Sequence, residues 1–370
     1  MSEIKKRSPM VSVIMSSYNH ERYVSEAIES VLAQSYTEFE FLIADDGSSD
    51  GTQEKIKSFS DERICYFEYD VNTSFKTLDM LRERARGKYI AQIGSDDVWR
   101  KDKLEKQVVF LEQNPQYAVC FSWIETIDEN SHIVKGEDSK NSDFNLQNKK
   151  ATQWFAQLFW GKESLPTPSF MMRTELFQKY GGFHFKYRQI HDYELWLRIL
   201  LNHEIYIMPE QLLFYRWHVS DEHHNISAPS TRGEICTYNE MHHMFGMLIE
   251  TIPDDYFIMA FGDKLFLPDC HTHEQIMCER MILLLNHPNR AAQQVGIDFY
   301  LTYIDDMEFC RCLEEEYGIT RKIFHELEAS RGLMAEVSEQ REQLMQCQEM
   351  LKKVLQEMSN ERMGKAKFFN

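Results

Sequence analysis

Across its first third the chain alternates short apolar runs with segments of helical periodicity, and most runs end in a polar or acidic cluster. Residues 11–15 form the first run and stop at Ser16-Ser17-Tyr18-Asn19. Val24, Ala27, Ile28, Val31 and Leu32 then recur at helical spacing. Residues 39–44 read as a second strand ending at Asp45-Asp46-Gly47, after which Asp50 and Gln53 have the spacing of a capping box. A third strand over 64–69 and a helix over 78–86, stopped by Gly87, come next. A fourth strand over 89–93 ends at Gly94-Ser95-Asp96-Asp97, and a helix from Lys103 to about residue 114 precedes a fifth strand over 118–127. Strands separated by amphipathic helices imply βαβ units and a mostly parallel sheet. Right-handed crossovers bring the loops that follow the strands to one edge of that sheet, where such folds bind ligands. The acidic and hydroxyl clusters lie in those loops, so a site is expected there.

The remainder of the chain divides by pattern. Residues 128–150 read as a polar loop, and 151–232 as a continuation of the first domain that covers the open edge of its sheet. The expected domain therefore spans 1–232, with halves of about 1–127 and 128–232, and an appended helical module spans 233–323. Over 324–362 a long helix is expected, because Val337, Leu344, Leu351 and Met358 repeat every seven residues. Leu333, Cys347 and Val354 fall at the complementary positions, with a polar Gln340. Two readings stand: a coiled coil pairing with a second copy or a partner enzyme, or an amphipathic helix docked on its own domain. Residues 363–370 form a basic and aromatic tail.

Composition removes several function classes. With 43% hydrophobic residues among 370, there is enough apolar material for a sizeable core. A formal net charge of -18 argues against nucleic acid as a partner. The eight cysteines contain no CxxC pair, which fits buried thiols in a reducing compartment better than a zinc knuckle or disulfide scaffold. No apolar run approaches the ~20 residues of a membrane span, and no signal peptide is read in the polar first residues. The expected location is the cytoplasm, with membrane contact at most peripheral at the inner face.

The dinucleotide GxGxxG, the GxxxxGK[ST] phosphate loop, the GxSxG elbow and HExxH are all missing from the sequence. A nucleotide bound at this sheet would need its phosphates neutralised by something other than a glycine cradle. Asp96 and Asp97 supply hard oxygen ligands suited to Mn²⁺ or Mg²⁺. Alone, each acidic pair reads equally as a turn former or cap.

Several segments together resemble glycosyltransferase family 2. They are Val11-Ser12-Val13-Ile14-Met15-Ser16-Ser17-Tyr18-Asn19, Ser30-Val31-Leu32-Ala33-Gln34-Ser35, and Asp45-Asp46-Gly47-Ser48-Ser49-Asp50-Gly51-Thr52. Arg86-Gly87-Lys88-Tyr89-Ile90-Ala91 running into Ser95-Asp96-Asp97 continues the pattern. A weaker likeness extends through Gly181-Gly182-Phe183, the stretch from His191 and Asp192 to Arg198, and Tyr215-Arg216-Trp217-His218. The resemblance implies an α/β GT-A fold with a Rossmann-like mixed sheet, a nucleotide-sugar donor, Mn²⁺ or Mg²⁺, and inversion at the anomeric carbon.

By the same resemblance, Ser16 and Tyr18 line the base pocket, and Asp46, with Asp45 beside it, binds base or ribose. Asp96 and Asp97 form the DxD-type element contacting ribose and metal, His218 completes the metal site, and Asp192 is the catalytic base. The sequence departs from the family pattern at Ser16, where Pro is common, at Gly94, where a further aspartate is common, and at His191, where Glu is common. The segment 72–86 also lacks the family's usual glycine. The resemblance favours uridine as the nucleoside and a glycan, a lipid-linked sugar or a protein as acceptor. Two other functions share this sheet: a catalytically silent nucleotide- or glycan-binding subunit, and a nucleotidyltransferase. The last would need a basic triphosphate loop where Ser-Ser-Tyr-Asn-His stands.

Overall fold

The computed structural model describes residues 9–73, 76–161, 164–184, 186–218, 231–332, 341 and 345–346. Among these, eight strands form one sheet in the order β3-β2-β1-β4-β7-β6-β8-β5. The strands are β1 (Val11–Ser17), β2 (Phe39–Asp46), β3 (Ile64–Tyr69), β4 (Tyr89–Gln92), β5 (Val98–Trp99), β6 (Tyr117–Ile127), β7 (Met171–Arg173) and β8 (Glu204–Arg216). β1 pairs in parallel with β2 and β4, and β2 with β3, as the βαβ pattern requires. Beyond β4 the sheet is mixed, since β7 runs antiparallel to both β4 and β6, and β8 runs parallel to β6 but antiparallel to β5.

β8 is not legible as a strand because Pro209 interrupts it. The ladder absorbs the proline in a bulge: Ser122 pairs with Met208 while Trp123 pairs with Gln211. β1 and β2 are buried almost throughout, which is why they read as continuous apolar runs. Val11, Val13, Met15, Phe41 and Ile43 meet Val24, Ala27, Ile28 and Val31 of helix Val24–Leu32, with Leu104, Val108 and Leu111 of helix Lys103–Gln113 in the same core.

Two polar side chains inside this core are satisfied by a distant turn. Ser12 Oγ donates to Glu40 Oε1 at 2.6 Å, and Glu40 accepts the backbone N–H of Arg86 at 2.8 Å and its guanidinium Nε at 2.8 Å. Gly87 N donates to Ser12 Oγ at 2.9 Å. A Cβ on Gly87 would stand 2.5 Å from Ser12 N and 2.7 Å from the Val11 carbonyl carbon, both rigid backbone. Gly87→Ala is therefore expected to destabilise the fold by about 3 kcal/mol, read as a lower denaturant midpoint at unchanged slope. The capping-box spacing at Asp50 and Gln53 takes another form: Asp50 Oδ1 accepts from Thr52 N at 3.0 Å, and Gln53 Nε2 donates instead to Asp45 Oδ1 at 2.8 Å.

The described chain divides into two compact units, Met1–Glu240 with Asp255–Phe261, and Met241–Asp254 with Gly262 onward. Against the boundary expected after residue 232, the first unit extends to Glu240 and takes in Asp255–Phe261 as well. Aromatic contact explains the second piece, since Tyr256 and Phe261 lie edge-on to Phe155, at centroid distances of 5.4 and 6.1 Å.

The second unit is helical. Its helices His273–Leu285, Arg290–Tyr303, Met307–Glu315 and Arg321–Ala329 open at Thr272, Asn289, Asp306 and Thr320, each accepting a first-turn N–H. The long helix expected over 324–362 is interrupted at its start, because this helix ends at Ser330 and Gly332 adopts φ 75°. The heptad positions from Leu333 to Met358 and the tail 363–370 lie outside the described residues. Among the described residues, no helix is long and apolar enough to cross a membrane.

Candidate active site

The strand register separates the adjacent aspartates that close β2. Ser16 pairs with Ala44 and Ser17 with Asp45, so Ser16 and Asp46 share one face and Asp45 points from the other. On the first face Ser16 Oγ lies 2.7 Å from Thr77 Oγ1 of helix Lys76–Arg84. Asp46 Oδ1 accepts from Thr73 N at 2.9 Å and Thr73 Oγ1 at 2.7 Å. On the opposite face Asp45 is fully buried and engaged within its own turn, accepting from Ser48 N, Ser48 Oγ and Gln53 Nε2. Tyr18, in the loop after β1, is 45% exposed, leaving its ring open to a planar ligand. Asn19 takes φ 53°, and its side chain accepts from Ser49 N at 2.8 Å, tying the β1 loop to the β2 loop.

The second acidic pair follows β4. His218, just past β8, donates from Nε2 to Asp96 Oδ2 at 2.9 Å across 122 residues of sequence. Burial pushes the Asp96 carboxyl up, but the His218 hydrogen bond and the charges of His20 and His218 outweigh it and hold the group below its ordinary value. Asp97 is buried, and its Oδ1 accepts from Arg216 N at 2.9 Å. Burial and the neighbouring Asp96 charge push Asp97 well above the carboxylate range, against the pull of Arg216.

Gly94 fits this crowding. A Cβ there would meet Asp97 Oδ2 at 2.6 Å and Asp96 Oδ1 at 3.0 Å, so a side chain at 94 is incompatible with both carboxylates as they stand. Arg216, also buried, ties the loops together: its guanidinium donates to Asp96 O at 2.7 Å, Asp128 O at 2.6 Å and Glu26 Oε2 at 2.7 Å.

Asp192 is the second residue of helix His191–Leu200 and is half-buried. Its Oδ2 accepts from Thr167 Oγ1 at 2.9 Å and its Oδ1 from Tyr193 N at 2.8 Å, which leaves lone pairs on both oxygens. Glu194, the nearest other carboxylate of the helix, is held by Arg198 at 2.9 and 2.7 Å. Tyr215, at the end of β8, connects the two halves electrostatically. Burial first, and then the charges of Asp97, Asp96 and Asp192, raise its phenol well above its ordinary value.

Asp96 Oδ2 and His218 Nε2 stand side by side, and a cation that displaced the proton between them would meet one oxygen and one nitrogen ligand. Among the described residues no three His, Cys, Asp or Glu side chains form a complete metal cluster. The Asp96 carboxylate fits Mg²⁺ or Mn²⁺ on a nucleotide, whose shell phosphate oxygens and water would finish, with the His218 nitrogen the less usual ligand for either ion. Thr167, His20 and Glu26 reach the site only through the tertiary fold. Thr167 carries no local signal, while Arg216 lies in the Tyr215-Arg216-Trp217-His218 segment that resembles the family.

Comparison with known proteins identifies the family. The family model described as Glycosyl transferase family 2 matches residues 12–181. An uncharacterised glycosyltransferase of Methanocaldococcus jannaschii is 33% identical over 215 residues, 56% of this chain and 71% of that one. The UDP-Glc:alpha-D-GlcNAc-diphosphoundecaprenol beta-1,3-glucosyltransferase WfgD of Escherichia coli is 39% identical over 128 residues, 34% of this chain and 50% of that one. The crystal structure of S. aureus TarS 1-349 in complex with UDP-GlcNAc superposes with a TM-score of 0.55 at 16% identity, covering 83% of this chain and 91% of that one, a likeness of fold. The chain belongs to glycosyltransferase family 2 and is a glycosyltransferase by that membership.

Proposed function

We propose that the protein transfers a sugar, with inversion, from a UDP-sugar to a hydroxyl of a glycan, lipid-linked or protein-linked acceptor, with Mn²⁺ or Mg²⁺ at Asp96 and His218. The observation that carries this reading is the Asp96–His218 pair at 2.9 Å beyond β4, beside Tyr215 at the end of β8, which feels the charges of Asp96, Asp97 and Asp192 alike. The UDP preference draws on WfgD, which is named for UDP-Glc and a diphosphoundecaprenol-linked acceptor, and on TarS, crystallised with UDP-GlcNAc. A cytoplasmic enzyme touching the membrane at most peripherally suits an acceptor of that kind.

In this reading Ser16, Tyr18 and Asp46 form the base and ribose pocket, with Tyr18 stacking on the base. Asp45 supports that pocket from behind through Ser48 and Gln53. Asp96 and His218 would hold the cation, whereas Asp97, expected beside them as a metal ligand, fixes the loop by accepting from Arg216 N. When bound, the cation neutralises charge that grows on the departing diphosphate. Asp192 accepts the proton of the acceptor hydroxyl as its oxygen bonds to the anomeric carbon. The bond from that carbon to the phosphate oxygen breaks, and the nucleoside diphosphate leaves with the electron pair. One displacement inverts configuration without a protein nucleophile. Thr167, donating to Oδ2, orients the carboxylate.

Thermal melting with UDP, dTDP, GDP and CMP, each with and without Mn²⁺, tests the donor side. A ligand at 100 times its Kd adds about 2.7 kcal/mol to stability, so a shift with UDP that needs Mn²⁺ is expected. Asp96→Ala should abolish the Mn²⁺-dependent part of that shift. An equal shift for this variant and the wild type would remove the metal assignment, and no shift with any nucleotide would favour a silent subunit that binds glycan.

A further inference from the structure

The helix bearing Asp192 begins at a residue unable to cap it. Its N-cap position is Ile190, at φ -123° and ψ 20°, whose side chain accepts no hydrogen bond. Three consecutive backbone N–H groups leading into the helix converge instead on one distant carboxylate. Arg188 N donates to Glu240 Oε1 at 2.8 Å, while Gln189 N and Ile190 N donate to Glu240 Oε2 at 2.7 and 3.2 Å. Glu240 lies on helix Thr231–Thr251, within the same compact unit as the helix it serves. At the other end Tyr256 Oη donates to Leu200 O at 2.7 Å, one of the carbonyls that a helix terminus leaves without an internal partner. Both braces come from sequence beyond residue 181, where the family match stops.

Charge-assisted bonds to a carboxylate are short and about twice as strong as neutral ones. An anion placed there also complements the positive end of the helix dipole. Ile190, the last residue so held, stands two positions before Asp192. We propose that Glu240 is a positioning residue for the reaction: it fixes the backbone of 188–190 and thereby the aim of the Asp192 carboxylate at the acceptor hydroxyl. The proposal rests on Asp192 being the base. Glu240 touches no reacting atom, so its loss acts through geometry, and a misplacement of ~1 Å in a reacting group costs on the order of 10²-fold in rate.

The test compares full-length wild type, Glu240→Ala, Glu240→Gln and Asp192→Asn. Amide hydrogen exchange is followed over 188–190, and turnover as UDP release from UDP-glucose and UDP-GlcNAc with Mn²⁺. Glu240→Ala is expected to speed exchange of these amides at least about tenfold. It should lower kcat roughly 10- to 100-fold with little change in donor KM, the signature of a lost transition-state interaction. Glu240→Gln, which keeps one acceptor oxygen, should recover part of both. Unchanged exchange in Glu240→Ala overturns the proposal, as does faster exchange with unchanged kcat. If Glu240→Ala loses its cooperative melting, Glu240→Gln decides: a lower kcat with native melting supports the proposal, and unchanged kcat and exchange overturn it. Full turnover by Asp192→Asn would remove the base assignment and the proposal together, whereas an inactive Asp192→Asn beside a fully active Glu240→Ala would remove the proposal alone.

Discussion

Replacing Asp192 by asparagine is expected to lower turnover by about 10²–10⁴-fold while nucleotide binding is retained. The amide keeps the shape of the carboxylate and still accepts the Thr167 hydroxyl bond seen at 2.9 Å. It cannot take up a proton at the pH of the reaction. The proposed donor contacts, Ser16, Asp46 and Asp96, lie on other elements, so UDP affinity measured by titration should stay within error. The same variant separates an enzyme from a silent subunit, which would show no turnover in either form and equal binding in both. Turnover by Asp192→Asn close to wild type would require another base. Glu194 is poorly placed for that, because Arg198 grips both of its oxygens.

A second large effect is expected far from the chemistry, at Lys103. This lysine is fully buried at the start of helix Lys103–Gln113. Its Nζ donates to Gln107 Oε1 at 2.7 Å and stands 4.0 Å from the centroid of the Trp99 ring. Gln107 in turn donates from Nε2 to Cys120 O and Ser169 O, each at 2.9 Å, so one side chain links helix, β6 and the turn before β7. Burial lowers the Lys103 pKa from 10.5 to about 7. The unfolded chain binds the proton more tightly than the folded one, so this group makes stability rise with pH between about 7 and 10.5 and fall as pH drops toward 7.

A shift of that size corresponds to about 3–5 kcal/mol in all, near 1.4 kcal/mol for each pH unit of the window. Lys103→Met removes the titration and keeps most of the volume. Its stability advantage over wild type should be largest at pH 7 and shrink steadily toward pH 10 in urea unfolding series. A difference that does not vary with pH would mean that the ammonium is solvated in the folded state.

The helices of the second unit announce their starts through Thr272, Asn289, Asp306 and Thr320, because a cap is a local interaction. β1, β2 and β4 announce themselves because strands covered on both faces need apolar side chains at nearly every position. β8 is hidden by Pro209, whose accommodation depends on a bulge against β6 that local sequence cannot express. Asp45 and Asp46 are indistinguishable as letters. They part company only when β2 is set in register beside β1, since alternation sends neighbouring side chains to opposite faces.

The acidic loops, the βαβ order and the family of the chain were therefore readable along the chain, because each rests on residues adjacent in sequence or on a fixed spacing between short motifs. The working shape of the site was not. His218 meets Asp96, Arg216 meets Asp97, Thr167 meets Asp192 and Glu240 meets the 188–190 backbone only after the sheet has closed. Contacts between segments 25 to 122 residues apart are chosen by packing and register, which no local pattern encodes.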